Sequence, residues 1–184
     1  MASADREPVK STPKSLAAGA DPCKDLNVNN GKCTVVATLK SKSGDSTTTL
    51  YNFNSEAGEA VTFVFVTAKG SERTVSPDIS FLHTLEAGTW HSLVKATPKL
   101  RQIMIDGAPA VALQVVSTSR ATSPDKSTKA RTWDTFSFVV CGAGKNGAAC
   151  TRISFGDDTT SCSAALSDSG EIKHSCTETT QLSL

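Results

Sequence analysis

Along most of the chain apolar residues alternate with polar ones at every second position, in short runs separated by turn-forming Gly, Pro, Asn, Asp and Ser. Helical spacing is weak throughout. The runs recur at intervals of roughly 10 to 15 residues, close to the rhythm of an all-β sandwich or barrel. The pattern predicts strands over Lys32 to Ser41, Ser46 to Phe53, Ala60 to Ala68, Ile79 to Leu85, Trp90 to Lys95 and Leu100 to Ile105. It continues with Pro109 to Thr118, Thr132 to Cys141 and Cys150 to Phe155, and with weaker runs over Ser161 to Leu166 and Glu171 to Cys176. The expected fold is an all-β, antiparallel sandwich or barrel-like sheet with a disulfide-stapled C-terminal hairpin region.

Three of these runs carry finer information. Val61, Phe63 and Phe65 on one face and Val64 and Val66 on the other make Ala60 to Ala68 apolar on both sides, so this strand is expected at the centre of a sheet. Phe136, Phe138 and Val140 alternate with Thr135 and Ser137, which predicts one face on the core and one toward water. Asp106-Gly107 between two apolar runs predicts a two-residue type I′ hairpin, whose central positions both need positive φ. Pro109 just after it cannot donate to a ladder and is expected on an open side.

Domain organisation follows from where the pattern fails. Residues 1–22 hold Pro8, Pro13 and Pro22 with mixed charges and few apolar side chains, and read as a flexible N-terminal tail. Residues 23–184 read as one β domain. Residues 141–184 form a possible disulfide-rich extension, holding four of the six cysteines and few large apolar residues.

The whole chain has 184 residues and a formal charge of +1 from 19 Lys and Arg against 18 Asp and Glu. That balance carries no bias toward nucleic acid or anionic lipid, and no run approaches the roughly 18 apolar residues of a spanning helix. The six cysteines fall into sequence-local couples, Cys23 with Cys33, Cys141 with Cys150 and Cys162 with Cys176, each bracketing turn residues. Six cysteines allow 15 connectivities; pairing across hairpins favours neighbours, each bridge contributing about 2 to 3 kcal/mol in the chain-entropy model. No C-x2-C knuckle supports a zinc site, so no metal and no cofactor is expected. Disulfides imply an oxidising compartment, periplasmic or secreted. Residues 1–22 contain no apolar leader, so the chain reads as a mature form whose signal peptide has been removed, with Met1 not native. The absence of any N-x-[ST] acceptor fits a bacterial periplasm.

Residues that could carry chemistry are few. His83, His91 and His174 form no metal-binding or catalytic spacing, and no G-x-S-x-G elbow is present. Asp157-Asp158, and Glu56 with Glu59, could pair as carboxylates, yet both sit beside glycines in turn-like sequence, where such residues serve the backbone. The segment 142–147 (GAGKNG) lacks the phosphate-loop signature and reads as a rigid finger closed by Cys141 and Cys150, with Lys145 and Asn146 at its tip. The segment 120–131 holds Arg120, Lys126, Lys129 and Arg131 and predicts an exposed cationic connection suited to an acidic protein surface. Trp90 and Trp133 are either core residues or binding anchors. The reading that follows is an exported, non-catalytic protein-binding domain, an inhibitor or immunity protein engaging an effector or hydrolase. The alternative is a structural or adhesive module of a pilus, coat or carbohydrate-binding type, and the third is an enzyme with an atypical carboxylate site.

Overall fold

A computed structural model describes residues 5–9, 16–26, 28, 32–54, 60–82, 84–86, 89–122, 131–144 and 147–178. The elements run β1 (Asp5–Pro8), α1 (Pro22–Asp25), β2 (Lys32–Lys40), β3 (Thr47–Asn54), β4 (Ala60–Lys69), β5 (Glu72–Val75), β6 (Ile79–Leu82) and β7 (Thr84–Glu86). They continue with β8 (Thr89–Ile105), β9 (Ala108–Thr122), β10 (Arg131–Gly144), β11 (Gly147–Phe155), β12 (Thr160–Leu166) and β13 (Ile172–Glu178). All ladders are antiparallel. A large sheet has the order β1-β11-β10-β9-β8-β7, a small sheet β2-β3-β4-β5 with β6 also on β4, and β12-β13 form a ladder of their own. The all-β antiparallel expectation holds.

The two sheets face each other across one core, in which Leu50, Phe63, Phe65, Ile79 and Phe81 of the small sheet meet Leu113, Val115 and Val139 of the large one. Behind the small sheet, Leu16, Leu26 and Val28 cover Phe53, Val64, Val66 and Val75. Behind the large sheet, Leu166 of the β12-β13 hairpin covers Ile103, Ala112, Phe138 and Phe155, with Ile172 packed alongside. The order through the molecule is N-terminal cover, small sheet, large sheet, C-terminal hairpin. As the pattern predicts, β4 is central and buried on both faces, with β3 on one side and β5 and β6 on the other. Asp106 (φ 50) and Gly107 (φ 77) make the expected hairpin turn. Pro109 lies beyond the last β9-β10 pair, Val111 with Cys141, where no donor is needed.

Several expectations are corrected. The Ser137 face of β10 does not meet water: Ser137 is fully buried between the sheets. Its hydroxyl shares a 2.9 Å hydrogen bond with Ser154 and accepts one from Arg152 at 3.3 Å, which offsets the desolvation of a core serine. The Phe136 and Phe138 face is covered by the C-terminal hairpin, so both faces of β10 are occupied. Residues 1–22 are not simply a tail. Asp5–Pro8 pair with Thr151–Ser154 at the edge of the large sheet, and Leu16 and Pro22 are buried. Asp5–Pro8 fill the open β11 edge, and Leu16 finds its place because the valines behind β4 need a cover. Trp90 to Lys95 and Leu100 to Ile105 join into one strand through Pro98, which is tolerated because, among the described residues, the edge of β8 beyond His91 carries no neighbouring strand. Ile79 to Leu85 divides instead, since the chain leaves the small sheet after β6 and enters the large one at β7. The short β5, polar at three of its four positions, gave no alternation to read.

The three disulfides join Cys23 to Cys33, Cys141 to Cys150 and Cys162 to Cys176, the neighbour pairing expected, and are consistent with an oxidising compartment. Two are directly opposed pairs in hairpins. The first is not a hairpin staple: it ties α1 of the cover to β2, and with the 2.8 Å hydrogen bond from Arg73 to the Ala20 carbonyl it fastens the cover to the small sheet. The C-terminal hairpin is held by its turn. Arg101 donates to the Leu166 carbonyl and lies 2.6 Å from Asp168, while the Met104 N–H donates to the Asp168 carbonyl at 3.0 Å. No helix among the described residues is long and apolar enough to cross a membrane.

Two expected outcomes test this packing. Between β5 and β6 the chain breaks its ladder with β4, and the buried Ser76 repairs the gap: its N–H donates to the Phe65 carbonyl at 2.9 Å and its hydroxyl accepts from the Phe65 N–H at 3.0 Å. Ser76→Ala strands a buried N–H and lowers the unfolding free energy by about 1 to 3 kcal/mol in urea titration, with the slope unchanged. At Gly170, φ is +82 and an added Cβ would stand 3.0 Å from the Met104 carbonyl. Gly170→Ala therefore destabilises by more than roughly 1 kcal/mol, and amide exchange quickens in β12 and β13 before the large sheet.

Candidate functional site

β8, β9 and β10 are the longest strands, and together they form a ribbon whose two ends are well separated. From Arg131 to Gly144 the strand β10 advances by roughly 43 Å at about 3.3 Å per residue. One end carries the Asp106-Gly107 turn and the connection that holds Lys145 and Asn146. The other carries the β9-β10 connection that holds Lys126 and Lys129. These four residues lie outside the described ones. The Cys141–Cys150 bridge and the pair Arg120 and Arg131 therefore lie toward opposite ends of the ribbon.

At the second end the register gathers residues that are far apart in sequence. Arg120 pairs with Thr132 and with Ser92; Ala121 pairs with Arg131 and with His91; Ser119 pairs with Trp133 and with Leu93; Thr122 pairs with Trp90. Small Ser119 and Ala121 on the middle strand leave room above them, and the His91 and Trp133 rings meet edge-on with centroids 5.3 Å apart. Trp133 is half-buried, while Arg120 and Arg131 are exposed. His174 is placed elsewhere, stacked on Phe155 at 4.4 Å, and His83, Glu56 and Glu59 lie outside the described residues.

The turn from β11 to β12 folds over this end and makes a groove of about 590 Å³ with β10, lined by Arg131, Trp133, Asp134, Phe136, Asp157 and Asp158 among others. Glycine is required at 156, where φ is +90 and a Cβ would stand 2.6 Å from the Asp134 carbonyl. The Thr135 hydroxyl donates to the Gly156 carbonyl at 3.0 Å and holds the turn down. Each carboxylate of the groove is engaged. Asp157 Oδ1 accepts from the Thr159 and Thr160 N–H groups and from the Thr159 hydroxyl. Burial alone would raise this carboxyl, but those hydrogen bonds together hold it below the usual carboxylate value. Asp158 forms a 3.1 Å ion pair with Arg131, and Asp134 accepts from the Thr118 hydroxyl at 2.6 Å. No cluster of His, Cys, Asp and Glu suited to a metal ion exists among the described residues.

The sequence singled out Arg131, Trp133, Asp157 and Asp158 separately and gave no sign that they share one groove. Their meeting depends on the turn after β11, which brings Asp157 and Asp158 back to the start of β10, one strand earlier in the chain. The sequence also overlooked Asp134, which the alternation of β10 treats as one more polar position. No protein-family model, no curated protein and no solved structure matches this chain.

Proposed function

We propose that the chain is an exported, non-catalytic protein-binding domain that docks its partner through the Trp133 end of the ribbon, in the manner of an inhibitor or immunity protein of the periplasm. The observation that carries this reading is the placing of Arg131 and Trp133 in one open groove on a rigid strand, with the exposed Arg120 on the neighbouring strand. Arg and Trp are the side chains that most often anchor protein interfaces, and anchors held by a sheet lose little entropy on docking. The groove supplies both signs of charge, from Arg131 and from Asp134, Asp157 and Asp158. That arrangement suits a partner surface of mixed charge and sets its orientation. The carboxylates support binding over catalysis. A carboxylic acid that gives up a proton in hydrolysis needs a raised pKa, whereas Asp157 is lowered and Asp158 is paired with a guanidinium.

A second reading rests on the same groove. Trp133 beside carboxylates and the hydroxyls of Thr118 and Thr132 could bind a sugar, as an adhesive surface module would.

Immobilised protein passed over extract of its native host is expected to retain one stoichiometric partner. The variant carrying Trp133→Ala and Arg120→Glu, folded by circular dichroism, is expected to bind that partner at least about tenfold more weakly, since anchor truncations cost about 2 kcal/mol or more. Equal retention by parent and variant, or no partner at high protein concentration, overturns the docking reading. Binding on a glycan array that Trp133→Ala abolishes would establish the sugar reading in its place.

A further inference from the structure

At the opposite end of the sandwich, where the Asp106-Gly107 turn lies, the two sheets part to leave a cavity of about 260 Å³. Its walls differ in chemistry. On the small sheet, Thr48 pairs in register with Thr67, and Thr67 with Thr74, so three threonines form one row across β3, β4 and β5. All three line the cavity, from the buried Thr48 to the exposed Thr74, on neighbouring strands spaced about 4.8 Å apart. The Thr48 and Thr67 hydroxyls share a 2.8 Å hydrogen bond, which uses one of their two protons and leaves lone pairs and the second proton for another group. The facing wall, from the large sheet, is mostly apolar, with Pro109, Ala110, Val111 and the Cys141 side of a disulfide. It also holds Gln102, whose side-chain oxygen accepts from the Lys42 N–H at 3.0 Å, and Phe65 lines the cavity as well.

The rim is charged but balanced. Lys69 Nζ stands 3.2 Å from Asp45, whose Oδ1 also accepts from the Ser41 and Ser43 hydroxyls. The Ser43 hydrogen bond above all, then that of Ser41, keeps the Asp45 carboxyl well below the usual carboxylate range, so the pair stays ionised. A charged ligand would have to break this pair or lay its charge on the apolar wall, and both are unfavourable. A purely apolar ligand would strip water from the threonine row and give nothing back. The volume sets the size: an apolar cavity of roughly 150 Å³ holds benzene, so this one accepts a ring with a substituent or two.

We propose that this cavity binds a small neutral molecule made of one apolar ring carrying a hydroxyl, its ring against Val111, Pro109 and Phe65 and its hydroxyl on the threonine row. The site is distinct from the Trp133 groove and stands or falls independently of the docking reading.

The test uses p-cresol and its methyl isostere p-xylene as probes, with methyl-resolved NMR of the full chain as readout. In the parent, p-cresol is expected to shift the methyl signals of Thr48, Thr67 and Val111 saturably, and to bind more tightly than p-xylene. Thr67→Val removes the hydroxyl at nearly constant shape and is expected to weaken p-cresol by about 2- to 12-fold, the equivalent of one hydrogen bond, while p-xylene is unchanged or tighter. Val111→Phe fills the cavity from the other sheet and is expected to abolish binding of both probes, which keeps the test valid if Thr67→Val melts. Absence of saturable shifts in the parent overturns the proposal. So does a p-cresol preference that survives Thr67→Val, or probe binding that survives Val111→Phe.

Discussion

Val64 and Val66 on one face of β4, and Phe63 and Phe65 on the other, impose the condition on which the architecture rests: a strand apolar on both sides must be covered on both sides. The same condition applies to β10, where Val139 faces the small sheet and Phe138 faces away. A sandwich of two such sheets still leaves two apolar outer faces. Each fully buried Val, Leu or Phe contributes about 1.5 to 3 kcal/mol relative to exposure, so leaving either face in water would forfeit much of the stability of a domain this size. The two ends of the chain supply the covers. Neither cover could stand alone, since a four-residue helix and a two-stranded hairpin are both marginal by themselves. Covalent and ionic fastenings appear where that weakness lies, at Cys23 and Cys33 with Arg73 for the first cover, and at Cys162 and Cys176 with Arg101 for the second.

Several hydroxyls that this layering traps are matched to one another across strands. Thr48 meets Thr67, Thr62 meets Ser80 and Ser137 meets Ser154, each within 2.9 Å. Arg152 enters between the sheets by using its length: it donates to the Ser80 carbonyl at 3.2 Å and to Ser137, and its guanidinium lies 4.3 Å over the Phe81 ring. Arginine suits this position better than lysine because its flat, delocalised charge both stacks and donates in several directions.

What the sequence disclosed and what it withheld divide along physical lines. Period-two alternation is a property of one strand, so the existence of most strands, the centrality of β4 and the Asp106-Gly107 turn were legible. Cysteine spacing is likewise local, and the pairing followed from it. Which face meets what is a property of two elements distant in sequence, and there local patterns mislead. A serine at 137 looks solvent-facing until Ser154 and Arg152 are beside it, and residues 5–8 and 16–22 look like spacer until the open β11 edge and the bare valines of the small sheet are known. The candidate groove was legible only as separate residues, because the β11-β12 turn that assembles it carries no periodic signal. The threonine row was invisible for the same reason: Thr48, Thr67 and Thr74 align only through the register of three strands.

The manner in which the sheets end limits where this protein can meet another molecule. An open strand edge invites pairing with a further chain, and each edge is blunted. β1 occupies the β11 edge of the large sheet. Along β8 a register shift between Leu93 and Lys95, the missing N–H of Pro98, and Lys95 and Lys99 oppose addition of a strand. On the small sheet β2 carries a shift between Val35 and Ala37 with a lysine at each end, and the far edge is broken at Ser76 and Pro77 between β5 and β6. The outer faces lie under the two covers. The two ends of the sandwich stay open between these features, one with the groove that Arg131, Trp133 and the Asp157-Asp158 turn line, the other with the cavity between the sheets along the threonine row.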